Sequence, residues 1–375
     1  MRASVIALAA ACSAPCLGQS PLPAVAAGGT RANQAASVTP RIPLVRGLTM
    51  VSVLHRPDGD RENTVEVQDV SAAGATYAWR YRELSAGGQT DTVTYRRFVS
   101  AADLAGAPRM NAVFRSDGIQ EVPGYTAFTL SRGLLRRVQT EGPTTFTLVA
   151  LDEAKGGNAG GGAFATSQVP YRGALSLVSR TPEPLSLLVN GKRTAVPTLH
   201  LTAKVAYQER KADFDVWVLA DSVHPLIVKT NLGPRQFLMI RVDLPGDGAV
   251  ESELASSCRA ELPGIYFAFA SAELQPASDA SLGQVGALLK RHAEWSLVVE
   301  GHTDSIGDAS SNRALSMRRA EAVRTALIER YAVPATRLRA LGFGDTHPRE
   351  PNATIEGRAR NRRVELTRAC PGRTP

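Results

Sequence analysis

Aromatic residues are scarce in this chain, at 6% of its 375 residues, and its positive charges are not interleaved with them in a basic stripe. Proteins that hold single-stranded nucleic acid combine a basic groove with aromatic side chains on which the bases stack. No nucleic-acid partner is therefore predicted. The net charge of +8 suits an anionic partner, such as an anionic lipid or a cell-wall polymer, and does not distinguish between these.

Long apolar runs are also missing, and the apolar stretch near the start is too short to cross a membrane. It follows Met1 and Arg2 and covers residues 3–17, whereas a membrane-spanning helix needs about 20 apolar residues. A positive charge followed by a short apolar core is typical of an export signal. We predict such a signal over residues 1–26, with plain cleavage favoured over lipid attachment at Cys12, which follows a loose lipobox.

Cysteine is scarce too. The chain has four cysteines, and cleavage of the predicted signal would remove two of them. The remaining pair, Cys258 and Cys370, flanks the C-terminal part of the chain. In an oxidising compartment a disulfide between them would close a loop of roughly 110 residues, which chain-entropy models value at about 4 to 5 kcal/mol. We predict this disulfide, and two unpaired thiols remain the alternative.

The first half of the predicted mature chain has β-like runs and no long helical pattern. Residues 21–39 are rich in Ala, Gly, Ser and Pro, and residues 27–39 are read as a linker. Residues 40–250 are read as a β-dominated domain, folded as a sandwich or a barrel. The clearest predicted strands are residues 76–81, 144–151, 199–207, 214–219, 226–229 and 236–242.

Two special interpretations of this β region are disfavoured. Its runs are shorter than the alternating segments of about ten residues that line a membrane barrel, and they contain Arg. The Gly-rich segment 155–162 lacks the Lys-Ser/Thr end and the following helix of a phosphate-binding loop. A periplasmic β domain without a cofactor is expected.

Strand and helix patterns alternate in the C-terminal part, at residues 261–368. Helices are predicted from Pro276 and over residues 312–331, which indicates an α+β domain of the order βαβαββ. The predicted strands are residues 264–269, 295–302, 338–343 and 362–367.

Arg319 interrupts the buried stripe of the second predicted helix. Leu315, Val323 and Leu327 follow the helical period, and Arg319 occupies the position between the first two, where an apolar residue is expected. A guanidinium at the edge of a buried face needs an anionic partner, because leaving it unpaired costs several kcal/mol. Asp304, in the loop after the preceding strand, could form an internal ion pair with it, or both residues could bind a ligand.

A set of residues with fixed spacings runs through the same region. It consists of Glu300-Gly301-His302-Thr303-Asp304, Gly307, Asn312, Leu315-Ser316, Arg319-Ala320, Val323, Gly342-Phe343-Gly344 and Gly357-Arg358-Ala359-Arg360-Asn361-Arg362-Arg363-Val364-Glu365. This set resembles the OmpA-like peptidoglycan-binding domain, the family that includes Pal lipoproteins and flagellar MotB stators. The resemblance spans residues 263–367 and does not extend to the β region.

The resemblance implies that Asp304 and Arg319 hold the free amino-acid end of diaminopimelate in the peptidoglycan stem peptide. A carboxylate suits the ammonium of that group, and Arg presents a planar fork to its carboxylate. The resemblance also implies supporting contacts from Thr303, Asn312 and the backbone after Phe269, with Asn361 as a pocket residue. Arg362 and Arg363 are read as mainly structural or surface residues.

Catalytic and metal-binding roles are not predicted. Glu300, His302 and Asp304 alternate and could share one strand face, which would suit acid-base or metal chemistry. The cluster has one His, and no Cys or second His stands nearby at ligand spacing. Binding alone explains the pattern.

The functional prediction is a noncatalytic tether that binds peptidoglycan in the periplasm, associated with the outer membrane of a Gram-negative bacterium. An outer-membrane or periplasmic protein is a further predicted partner of the β region. The alternative is that the β region is a ligand carrier or an enzyme that the C-terminal region localises to the wall. A stator-type channel component is disfavoured, because no membrane helix with an acidic residue precedes the C-terminal region.

Overall fold

A computed structural model describes residues 41–56, 59–84, 90–113, 118–151, 168–246, 249–267 and 271–369. The predicted export signal, the linker, the Gly-rich segment, Phe269 and Cys370 lie outside these residues. The described elements belong to one compact unit, Thr39–Pro375, and form two β-sheets. Within these residues, no helix combines the length and the apolar character that crossing a membrane requires.

The first sheet contains fourteen strands and is accompanied by two short helices, α1 (Ala101–Gly106) and α2 (Arg132–Glu141). Its strands follow the order β6-β4-β3-β2-β1-β14-β13-β12-β11-β9-β8-β5-β7, with β10 beside β11 and β14. Their bounds are β1 Thr49–Arg56, β2 Gly59–Ser71, β3 Gly74–Leu84, β4 Thr90–Ser100, β5 Arg109–Asn111, β6 Ile119–Glu121, β7 Tyr125–Thr126, β8 Thr144–Leu151, β9 Gln168–Leu177, β10 Glu183–Val189, β11 Lys192–Tyr207, β12 Arg210–Leu219, β13 Ile227–Leu232 and β14 Arg235–Asp243.

Alternating apolar residues explain why these segments form strands. In β12, Phe214, Val216 and Val218 are buried, and the residues between them are partly exposed. Branched and aromatic side chains at every second position suit a half-buried sheet. The prediction of a β-dominated region is confirmed.

Five strands of the first sheet, β10 to β14, form a closed ring of pairing. Each pairs with the next in chain order, and β14 pairs in turn with β10.

The second sheet has four strands in the order β15-β18-β16-β17, with helices packed on one face. Leu297 and Val299 of β16 lie in one core cluster with Leu282 and Leu289 of α4 and Val323 of α5. The element bounds are α3 Ala249–Ser257, β15 Arg259–Glu261, α4 Asp279–Arg291, β16 Leu297–His302, α5 Ala309–Tyr331, β17 Leu338–Gly344, α6 Ile355–Asn361 and β18 Val364–Arg368.

Two details of the predicted C-terminal order are wrong. The described part of the predicted first strand, residues 264–267, is not a strand, because the chain turns at Gly264, which has a φ of +74°, and Phe267 forms only an isolated bridge with Leu274. The edge strand is instead β15, which pairs with β18. The short helix α6 separates the last two strands, and Thr354 caps its start by accepting a hydrogen bond from Gly357 N at 3.0 Å.

The two sheets contact each other through a small apolar cluster. Val51, Val53 and Ile240 of the first sheet pack with Tyr266 and Ala359 of the C-terminal region. The hydroxyl of Tyr266 donates a hydrogen bond to Asp243 at the end of β14. Burial and the neighbouring Asp243 carboxylate raise the pKa of Tyr266 well above 10. This contact places strand β2 next to the segment between α6 and β18.

Candidate functional site

Helix α5 crosses strands β16 and β17 at very short range. A Cβ atom at Gly301 would lie 2.2 Å from the carbonyl oxygen of Ser316, and one at Gly342 would lie 2.4 Å from the backbone nitrogen of Met317. Glycine is therefore required at both positions to let the helix approach the sheet. Arg319 follows Ser316 by one helical turn and lines a cavity near the end of β16.

Asp304 lies in the loop that joins β16 to α5, and the residue is buried, at 8% exposed. Its Oδ1 accepts a hydrogen bond from Ile306 N at 3.1 Å, and its Oδ2 accepts one from Arg362 Nη1 at 2.7 Å. The backbone carbonyl of Asp304 accepts from Asn312 Nδ2 at 3.2 Å. The carboxylate is thus oriented by two hydrogen bonds, and a third holds the backbone of Asp304.

Arg319 is half-buried and charged. Its Nε donates to the carbonyl of Ser271 at 2.9 Å, and its guanidinium lies 5.0 Å from the centre of the Phe267 ring. Burial lowers the pKa of Arg319 to about 10, so the group stays protonated at neutral pH. Among the described residues, its two Nη groups have no hydrogen-bond partner.

Arg362 connects Asp304 to the first sheet. Its Nη1 binds Asp304, and its Nη2 donates to the carboxylate of Glu62 in β2. Burial opposes the charge, but the carboxylates of Glu62 and Asp304 raise the pKa of Arg362 above its usual value. Arg362, predicted to be mainly a structural or surface residue, thus makes a structural contact that holds the Asp304 carboxylate.

A cavity of about 70 Å3 adjoins these charged groups, with room for roughly two water molecules. Both sheets contribute to its lining. The residues that matter for the site are Glu62, Phe267, His302, Arg319 and Arg362.

Thr303 directly precedes Asp304 in the chain, and Asn312 contacts the Asp304 backbone. Thr303 is 4% exposed, and within the described residues its Oγ1 has no hydrogen-bond partner, while its backbone nitrogen donates to Gly344 O at 2.9 Å. Asn312 is in the first turn of α5 and holds the backbone of the Asp304 loop. The fold therefore places four of the five predicted site residues around the loop between β16 and α5: Thr303, Asp304, Asn312 and Arg319.

Asn361 is separate from this group and binds the loop before α6. Its side chain is fully buried; Oδ1 accepts from the backbone nitrogens of Arg349 at 2.7 Å and Glu350 at 3.1 Å. Its Nδ2 donates to Glu350 O and to Asn352 Oδ1, both at 2.8 Å. All four hydrogen-bonding positions of the amide are occupied, which leaves none for a ligand. Asn361 acts on the site indirectly, since Asn352 Oδ1 also accepts from Ser305 N at 3.3 Å.

Glu300 and His302 face the opposite side of the sheet from α5, together with Glu365 of β18. The ligand atoms of these three residues lie within 4.8 Å of one another, a spacing compatible with a metal ion. However, Glu365 is already paired with Arg363 at 2.5 Å and with Arg349 at 2.8 Å, and Glu300 is paired with Arg259 at 3.0 Å. A cation would have to compete with these guanidinium groups, so the arrangement is a buried ion-pair network.

Cys258 precedes β15 and is buried. Its carbonyl accepts a hydrogen bond from Arg368 N at 3.0 Å, and Arg259 pairs with Thr367 across the two strands. This register brings the end of β18 to Cys258. The predicted partner, Cys370, lies outside the described residues.

The residues near the site that the sequence did not predict are Glu62, Phe267 and Ser271. Arg362 stands in the closing motif of the resemblance, so a signal for it was present. The sequence held no signal for Glu62, because its contact with Arg362 joins residues 300 positions apart.

Comparison with known proteins identifies the C-terminal region. Residues 266–362 match the model of the OmpA family. Outer membrane porin F of Pseudomonas aeruginosa is 40% identical over 126 residues, which cover 34% of this chain and 35% of the porin. Peptidoglycan-binding protein ArfA of Mycobacterium bovis is 36% identical over 116 residues, which cover 31% of this chain and 35% of that protein. The chain thus spans about a third of the length of either relative.

A solved structure gives a match of similar extent. The peptidoglycan-associated lipoprotein from Burkholderia pseudomallei is 33% identical, and the match covers 28% of this chain and 88% of that chain with a TM-score of 0.27. These matches concern the C-terminal part of the chain.

Proposed function

From the OmpA family domain that residues 266–362 form, we propose that this protein binds peptidoglycan noncovalently and thereby tethers itself to the cell wall. The observation that carries the proposal is the grouping of Asp304, Arg319 and Arg362 at the loop between β16 and α5. The relative ArfA of Mycobacterium bovis is a peptidoglycan-binding protein, which supports the same ligand.

The charges of the site suit a zwitterionic group. The Nη groups of Arg319 would take the carboxylate of the diaminopimelate end, because a guanidinium fork matches a carboxylate in geometry and charge. Asp304 would take the neighbouring ammonium. Its orientation by Ile306 N and Arg362 means that the carboxylate is held in place before the ligand arrives. A ligand that lacks either charge would leave one partner desolvated and unmatched.

Thr303 and Asn312 have supporting roles in this proposal. The buried Oγ1 of Thr303 would hydrogen-bond the ligand, which would satisfy a group that is otherwise costly to bury. Asn312 would keep the loop that carries Asp304 in position. Asn361 would stabilise the neighbouring loop and make no ligand contact.

The remaining sequence predictions belong to the same proposal. An export signal over residues 1–26, a linker over 27–39, a β-rich domain over 40–250 and an OmpA-like domain over 261–368 would suit a noncatalytic periplasmic protein. A disulfide between Cys258 and Cys370 would close the second domain, and the β-rich domain would contact an outer-membrane or periplasmic protein.

Sedimentation with purified sacculi tests the proposed function. The mature chain should sediment with diaminopimelate-containing sacculi, and Asp304→Ala or Arg319→Ala should weaken this at least about tenfold, since a hydrogen bond to a charged group contributes about 1.5 to 3 kcal/mol. Arg318→Ala is the matched control, because Arg318 is adjacent on the same helix and exposed. If both site variants sediment as well as wild type and the control, the assignment of the site is wrong.

A further inference from the structure

The interior of the first sheet contains a cavity of about 200 Å3 that is separate from the charged site. It lies where two core clusters meet: Trp79 and Phe128 pack against one cluster, Phe214 and Leu148 belong to the other, and Phe237 contacts both. Protein interiors have few voids larger than a water molecule, and empty space costs stability in proportion to its volume. An apolar cavity of this size between two otherwise packed clusters, partly open to solvent, leaves room for a small ligand.

The lining is mainly apolar and partly open to solvent. Trp79, Phe128 and Phe237 are each only partly buried, although they line the cavity beside the buried Phe214. Small-molecule sites are typically concave, predominantly apolar and lined by aromatic side chains, with a few polar groups that orient the ligand. Half-exposed aromatic rings at a cavity gain further burial when an apolar molecule enters.

Ser52 supplies a polar group that faces the cavity. It is 2% exposed, and among the described residues its Oγ has no hydrogen-bond partner. The pairing of β1 with β14 shifts register between Val51 and Ser52, where β14 has Ile240 as an extra residue, and β1 itself keeps its alternation. Val51 and Val53 point towards the C-terminal region, whereas Ser52 and Leu54 line the cavity. A buried hydroxyl without a partner is costly, and an oxygen of a bound ligand would satisfy it.

We propose that the β region binds one small apolar molecule that carries a single oxygen, with its hydrocarbon part between Trp79, Phe128 and Phe237 and its oxygen at Ser52. The size of the cavity limits the ligand to a single ring or a short chain, since an engineered apolar cavity of about 150 Å3 accommodates benzene. This inference is independent of peptidoglycan binding, because it rests on residues of the first sheet alone.

Bromine quenching of tryptophan fluorescence tests the proposal on the full mature chain. The probe is 4-bromophenol, and bromobenzene is its counterpart without oxygen. The chain has three tryptophans, of which Trp79 lines the cavity, so quenching by 4-bromophenol should saturate and should disappear in Trp79→Phe but persist in Trp217→Phe. Quenching that does not saturate, or that persists in Trp79→Phe, would overturn the proposal.

Two substitutions locate the ligand more closely. Ala150→Leu fills the cavity and should weaken 4-bromophenol binding at least about tenfold, while the same change at the exposed Ala206 of β11 should leave it unaltered. Ser52→Ala should lower the preference for 4-bromophenol over bromobenzene about fivefold, the typical effect of one hydrogen bond. If Ala150→Leu binds as wild type does, the ligand lies elsewhere. If Ser52→Ala leaves the preference unchanged, the proposed role of Ser52 fails even where Ala150→Leu does not fold.

Discussion

Arg362 donates a hydrogen bond to Asp304 at 2.7 Å and so holds the carboxylate that the proposed wall ligand would contact. The same guanidinium binds Glu62 of the first sheet, so the ligand-binding loop is linked to the β region through one side chain. Arg319 keeps its Nη groups available at this site among the described residues. The two arginines therefore have different roles: Arg362 positions Asp304, and Arg319 is the arginine proposed to bind the ligand carboxylate.

Removing the charge of Glu62 should strengthen wall binding. Glu62 lies close enough to favour the charged forms of both Arg319 and Arg362, so it competes with an incoming carboxylate. A partly exposed ion pair contributes about 0.2 to 1 kcal/mol, so Glu62→Gln should bind sacculi up to about fivefold more tightly. Glu66→Gln is the control, because Glu66 is on the same strand and pairs with Arg80 at 2.8 Å. Weaker binding by Glu62→Gln would mean that Glu62 contacts the ligand ammonium.

Asn361→Ala should destabilise the folded chain without removing a ligand contact. The substitution leaves the backbone nitrogens of Arg349 and Glu350 without their acceptor in a buried place. We expect a loss of about 3 kcal/mol in the free energy of unfolding, measured with urea. A loss below about 1 kcal/mol for the alanine variant would show that other contacts hold this loop.

The stability of the chain should fall as the pH is lowered from about 6.5 towards 4. Burial and the nearby Arg363 lower the pKa of His302 to about 4, whereas in the unfolded chain it is about 6.5. Between these values the unfolded chain binds a proton that the folded chain does not, so stability declines with falling pH by at most about 1.4 kcal/mol per unit.

His302→Phe provides the comparison for this pH dependence. Phenylalanine can keep the stacked contact with Phe343, whose ring centre is 5.3 Å away, and it does not titrate. Urea unfolding from pH 7 to pH 4 should give the variant a shallower slope. Burial also lowers the pKa of His224, and the contribution of His224 to the pH dependence is the same in both proteins. Identical slopes would exclude His302 as a source of the effect.

Reduction should destabilise the mature chain if Cys258 is bonded to Cys370. A loop of roughly 110 residues corresponds to about 4 to 5 kcal/mol in chain-entropy models. The unfolding midpoint of wild type in urea should fall on addition of a reductant, and the midpoint of Cys258→Ser should not. Alkylation followed by intact-mass measurement provides the direct check, because two reactive thiols in the unfolded, non-reduced protein would contradict the pairing.

The helical period of the sequence was enough to single out Arg319. In α5, Val323 and Leu327 are buried and Arg319 interrupts their stripe, as the helical period predicted. Asp304 was found because it follows a buried strand directly. Both signals depend on residues close together in the chain, where helix and strand geometry determine which side chains share a face.

Long-range partners were not visible in the same way. The contact between Glu62 and Arg362 depends on how one sheet packs against the other through Val51 and Tyr266, and no local pattern encodes that packing. The role of Asn361 was misread for a related reason. Its family motif marked the residue, but its hydrogen bonds depend on the conformation of the loop from Arg349 to Asn352.

The most direct test of the account is calorimetric titration of the mature chain with a stem tripeptide that ends in meso-diaminopimelate, compared with the same peptide ending in lysine. The lysine peptide lacks the second carboxylate, so Arg319 would remain unmatched. The account predicts binding of the diaminopimelate peptide at least about tenfold tighter than the lysine peptide, with the difference lost in Arg319→Ala. Equal affinities for the two peptides, or an unchanged preference in Arg319→Ala, would contradict it.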